Sequence, residues 1–185
     1  MKTRNISLKI SIVSRFIFVV VLSALTLGAH SFSQGSKVVN PGSYELNFEV
    51  YSNGVYTPVT SLPVSSQELI LRAYVVEEGS GTPAQSGTAI FEYCSYKGRP
   101  PGDIERADEA PKEACDAGIA SWRRLQSIDV NAGSCPQLGV GNACMNFGVV
   151  MIPRDVGFRF RFNGKKSGIN SGTSDASNFT WTATP

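Results

Sequence analysis

Hydrophobic and polar residues alternate along much of the chain, and the period is two. Residues 44–51 read YELNFEVY. Tyr44, Leu46, Phe48 and Val50 share one side, with Glu45, Asn47, Glu49 and Tyr51 on the other, the pattern of a half-buried strand. Ser52-Asn53-Gly54 follows, then a short extended piece at 55–59. Asn-Gly between apolar runs predicts a hairpin. Residues 69–76 (LILRAYVV) form a near-continuous apolar strand, and residues 77–87 a Gly/Ser/Pro loop. Residues 88–95 are rich in β-branched and aromatic side chains. Residues 96–117 hold Gly98, Pro100, Pro101, Gly102 and Pro111 and read as a long excursion with one short helix around 104–110. Strands are expected at 119–130, 143–152, 156–162 and 178–182, with a Gly/Ser/Asn loop over 163–177. At 156–162, Val156, Phe158, Phe160 and Phe162 share a face opposite Gly157, Arg159 and Arg161. About seven or eight short strands with turn signals between them predict an all-β sandwich or barrel. A small α+β fold is the alternative if residues 103–115 are more helical.

The first 31 residues break this pattern. Lys2, Arg4, Lys9 and Arg15 come without an acidic residue, an apolar run fills 16–27, and small residues follow. That order predicts a secretory signal peptide over 1–31, cleaved after Ser31 or, nearly as well placed, after Ser33. The apolar run is too short for a spanning helix, which needs about 20 residues. The expected organisation is a signal at 1–31, a short leader at 32–43 and one domain at 44–185. The processed protein is expected to be secreted or periplasmic, with no membrane span.

Processing changes the charge. The chain has 17 basic and 15 acidic residues. Removing four basic residues leaves 13 against 15, a formal charge of −2. No basic face points to nucleic acid. The single histidine, His30, lies in the signal. A mature domain without histidine excludes Ser-His-Asp and Cys-His nucleophiles, His-ligated zinc and histidine acid–base catalysis. Carboxylate-pair glycoside hydrolysis needs no histidine and stays open.

Cys94, Cys115, Cys135 and Cys144 form an even set without a C-x-x-C pair, which favours two disulfides over a redox motif or a zinc site. Pairing of neighbours is preferred: Cys94–Cys115 would close the excursion and Cys135–Cys144 the loop SCPQLGVGNAC. A Cys94–Cys144 bridge is an alternative. Asp103, Glu105, Asp108, Glu109, Glu113 and Asp116 lie in one stretch. Their spacing does not fit an EF-hand, and they read as a solvated loop or helix with Arg106 and Lys112 as partners; neither a metal nor a cofactor is expected. Trp122 and Arg124, with Arg159 and Arg161, are the candidate ligand residues. If their two strands are neighbours, arginine and tryptophan can form a cation–π ladder, a platform for a glycan or an anionic polymer. Ordinary strand surface is the competing reading. Phe179 and Trp181 are expected in the core. Asn178-Phe179-Thr180 fits an N-glycosylation acceptor but falls in an expected strand.

Two segments resemble bacterial extracellular immunoglobulin-like domains. Residues 69–93, LILRAYVVEEGSGTPAQSGTAIFEY, look like the strand, Gly-x-Pro loop and Gly-x-x-x-Phe strand of such repeats. Residues 154–160, RDVGFRF, resemble the Asp-x-Gly-x-Tyr corner that opens the penultimate strand. The corner tyrosine is replaced by Phe158, which has no hydroxyl to tie the corner, and Phe160 stands where the inter-sheet cysteine would be. The resemblance covers about half of the mature chain and carries over no catalytic residue. It implies an immunoglobulin-like β-sandwich used as a binding or structural module for a protein or glycan ligand. The competing classes are a secreted carbohydrate-active hydrolase using a carboxylate pair, and an exported inhibitor or effector acting through the Cys135–Cys144 loop.

Overall fold

Each alternating segment forms a strand, and the side that the alternation marks as apolar faces the core. The computed structural model describes residues 38–64, 68–96, 108–131, 133–147, 153–165 and 167–183. The strands are β1 (Pro41–Ser52), β2 (Val55–Pro58), β3 (Ser61–Pro63), β4 (Leu69–Glu77), β5 (Thr88–Tyr96), β6 (Ala120–Asp129), β7 (Asn142–Phe147), β8 (Arg154–Asn163), β9 (Gly172–Thr173) and β10 (Ser177–Thr182). One short helix, α1 (Lys112–Asp116), precedes β6.

The β1–β2 hairpin turns on Asn53 and Gly54, both at positive φ (51° and 82°). A tight turn whose twist matches the strands needs that backbone, and Asn-Gly adopts it at little cost. One sheet has the order β2-β1-β4-β7; the other has β3-β10-β8-β5-β6, with β9 added beside β8. Strand neighbours are antiparallel except β3 and β10, which run parallel.

The two sheets pack face to face. Leu69, Leu71, Ala73 and Val75 of β4 meet Val156, Phe158, Phe160 and Phe162 of β8 in one buried cluster. Phe158 is gripped edge-on by Phe147 (5.0 Å between ring centres) and by Phe48 (5.9 Å) from the opposite sheet. Each fully buried phenylalanine contributes roughly 1.5–3 kcal/mol, so the β8 row is a main source of stability. Phe179 and Trp181 of β10 are buried in the same cluster.

Several elements depart from the sequence reading. The domain is engaged before Tyr44: β1 opens at Pro41, and Val39 bridges to Ile169. The expected leader therefore ends inside the fold. The short helix lies at Lys112–Asp116 and not at 104–110, of which 104–107 are outside the described residues. Pro111 explains the shift, because it holds the residue before it extended. Ala110 accordingly donates its N–H to the Cys94 carbonyl instead of entering a helix. β9 falls in the expected loop at 163–177, and β3 in a stretch given no element; three and two residues give no usable period. The second half of the expected strand at 143–152 and the expected signal at 1–31 lie outside the described residues.

Candidate functional site

The outer face of the larger sheet carries the candidate ligand residues. Arg159 and Arg161 point away from the core because the phenylalanines between them point in. Trp122 and Arg124 lie on β6, but β6 and β8 are not neighbours: β5 runs between them. The expected direct ladder is therefore interrupted, and the residue that interrupts it is Glu92. In register, Arg159 stands opposite Glu92, and Glu92 opposite Arg124.

Glu92 organises the face. Its side chain is 6% exposed, and each carboxylate oxygen accepts one arginine: Arg159 Nε at 2.8 Å and Arg161 Nε at 2.8 Å. A buried carboxylate is costly unless paired, and here two guanidinium groups share the pairing. The arginine side chains remain 27% and 43% exposed. Arg159 also reaches across β5 to lie over the Trp122 ring, 4.4 Å from its centre. Cation and ring thus meet as the sequence reading asked, by reach across a strand. Arg124 is exposed at the far side of Glu92.

One flank of this face is built up by α1. The Cys94–Cys115 disulfide ties the helix to β5, and Cys94, Ala110, Ala114 and Ala120 form a small second core with Tyr96 and Trp122 packed on it. Gly157 makes the approach feasible: a Cβ there would lie 2.5 Å from the Lys112 nitrogen. Asn178 fixes the helix start, its Oδ1 accepting from the Lys112 N–H at 2.9 Å and its Nδ2 donating to Glu113. This amide lowers the Glu113 pKa, with its backbone bond the next cause. A glycan on Asn178 would sacrifice these bonds.

The acidic stretch is taken up by the protein itself wherever it is described. Asp108 accepts from Ser95 Oγ at 2.7 Å. Glu109 pairs with Arg154, and Asp116 with Lys112. Asp103 and Glu105 lie outside the described residues. Among the described residues no group of three His, Cys, Asp or Glu side chains is placed to hold a metal.

The outer face of the smaller sheet carries the second disulfide, Cys135–Cys144. Its loop is held down by Tyr56 Oη, which donates to the Pro136 carbonyl at 2.8 Å. Beside it lies an open groove of about 400 Å³ walled by Tyr51, Glu68, Ser134 and Asn146 over Ile70. Nearby, Glu49 is buried and takes Arg72 through both oxygens, at 2.9 and 2.8 Å. Sequence reasoning passed over Glu49, Glu92 and Asn178 as structural groups. For Glu92 the available signal was a lone acidic residue inside a strand, with arginines in other strands to receive it.

No known protein family matches the chain, and no curated protein is detectably similar to it.

Proposed function

We propose that this chain is an exported immunoglobulin-like module, without catalytic machinery, that binds a protein or glycan on the outer face of its larger sheet. The observation that carries the reading is the ordered face itself: a buried carboxylate holding two arginines, with a tryptophan under one of them and a third arginine beside it. An arrangement this costly to desolvate gives the protein a fixed set of donors toward solvent.

Strand order supports the immunoglobulin-like assignment. The succession β10-β8-β5-β6 opposite β1-β4-β7 corresponds to strands G, F, C and C′ opposite A, B and E of that fold. The resemblance at 154–160 falls on β8, the strand equivalent to F. Two disulfides fit an oxidising compartment, and no helix among the described residues is long and apolar enough to cross a membrane. Against hydrolysis, the buried carboxylates Glu49, Glu92 and Glu109 each carry an arginine. Against action through the Cys135–Cys144 loop, Cys135 is buried and the loop is fastened to β2.

Two measurements test the reading. N-terminal sequencing of the protein recovered outside the cytoplasm should begin at Phe32 or Gln34; an intact N-terminus with reduced cysteines would sink export. Arrays of glycans and of extracytoplasmic proteins should yield a ligand whose binding falls when Arg124 and Arg161 are replaced by alanine. A ligand indifferent to that pair, or none, would remove the binding face.

A further inference from the structure

Resting on the reading of this face as a binding face, we infer that its ligand is an acidic saccharide, gripped through its carboxylates by Arg159 and Arg161 with Arg124 as a third contact. Each of the first two arginines spends its Nε on Glu92, which leaves the Nη groups to donate elsewhere. An arginine fork is suited to a planar carboxylate, and here two forks are pre-set by one buried partner. Glu92 supplies the one negative charge paired within the cluster of Arg159 and Arg161, with Arg124 beside it, so the cluster itself keeps a positive excess on a domain whose formal charge is negative.

Spacing favours an extended ligand. Arg159 and Arg161 are two residues apart on β8, roughly 7 Å along the strand, while Arg124 lies two strands from Arg159, roughly 10 Å across the sheet. Neither described cavity is lined by these arginines. A chain bearing repeated carboxylates can meet several of them.

Backbone accounting favours saccharide over acidic peptide. A peptide in extended form gains affinity from main-chain bonds to an unpaired strand edge. β5 is paired on both sides, by β8 and β6, and β8 by β10 and β5. Around Glu92, Arg159 and Arg161 the face thus offers side chains alone; β6, which carries Arg124, ends the strand order among the described residues. Sugar rings present carboxylates and hydroxyls to such a surface, and half-buried Trp122 adds an apolar rim for their C–H faces.

Trp122 also supplies the readout. The other tryptophan, Trp181, is buried in the core, so a ligand that draws on Arg159 changes the emission of Trp122 alone. The exported, oxidised protein would be titrated with an oligouronate, its neutral parent oligosaccharide, oligoglutamate and inorganic sulfate. The oligouronate is expected to bind at least tenfold more tightly than the other three and to weaken as salt is raised. R161Q should weaken binding about tenfold with some loss of stability, since it also strips a partner from Glu92; R124Q, at an exposed arginine, should weaken binding at unchanged melting temperature, and W122F should abolish the signal while calorimetry still detects binding. Equal binding of oligoglutamate, or of sulfate alone, overturns the saccharide assignment. A ligand from the arrays that is neutral and still needs this face overturns the acidic inference and leaves the binding module standing; failure of every ligand removes both.

Discussion

Glu49 illustrates what a single residue decides in this protein. Alternation along β1 puts it opposite Phe48 and Val50, and it does leave the core side. The reading of that opposite side as solvent is where periodicity stops: Glu49 is only 2% exposed. Period two reports which way a side chain points and not what covers it. Arg72 of β4 and, through Arg72, Asn142 of β7 form the cover. Replacing Glu49 by glutamine leaves Arg72 facing a neutral amide. Breaking such a pair from one side costs about 3 kcal/mol, to be read as a lowered urea midpoint. Glu49→Gln together with Arg72→Met should recover part of that loss, because the stranded charge is then gone; a double variant no better than the single one would show that the pair contributes little. Glu92 escaped the sequence reading for the same reason. It sits in TAIFEYCS as the one charged residue of a largely apolar run, and only the strand order brings Arg159 and Arg161 to it.

Among the elements, α1 depends most on others. Five residues are too few to hold a helix by propensity. Its position follows from Pro111, which was visible in the sequence, and from Gly157, Asn178 and Cys94, which were visible only as residues of distant strands. Gly157→Ala would press a methyl against the Lys112 backbone. Overpacking of this kind costs about 1–3 kcal/mol, and here it should also speed amide exchange over residues 112–117 while leaving β4 protected. Uniform protection in the variant would mean that α1 is held independently of the β8 surface. Removing the tether by C94A/C115A should cost about 3 kcal/mol in the chain-entropy account and disturb Trp122 emission, since that ring packs on the small core beneath the helix. The neighbour pairing of cysteines was argued from the loops they close, without knowledge that one of them would anchor the flank of the candidate face.

For the molecule as a whole, the strands of the core were largely legible because the chain repeats one signal, apolar residues every second position, and a two-sheet packing is the way to bury such faces. The short strands β3 and β9 were not, since they are held by pairing with β10 and β8 rather than by any pattern of their own. The folded state as a unit should respond to alkali through its tyrosines. Burial is the main cause raising the phenol pKa of Tyr44, Tyr56 and Tyr93 above the ordinary 10.0. Tyr44 illustrates the demand: its hydroxyl donates to the Asn170 carbonyl at 2.6 Å and has to remain protonated to do so. A proton held more tightly in the folded chain than in the unfolded one stabilises folding fully below the unfolded pKa. The contribution fades as pH rises through 10 toward the raised folded values, where the unfolded chain has already released its protons. Arg72, whose pKa is raised mainly by its bond to Glu49, keeps its charge through that window, so the ion pair on the smaller sheet does not fail first. Urea midpoints measured between about pH 9 and pH 11 should therefore fall with rising pH, and the fall should be shallower in Tyr44→Phe, which starts from lower stability for want of the Asn170 bond. An equal slope in that variant would place the alkaline sensitivity on Tyr56 and Tyr93, and a flat profile in the parent would show that burial raises none of the three phenols enough to matter for stability.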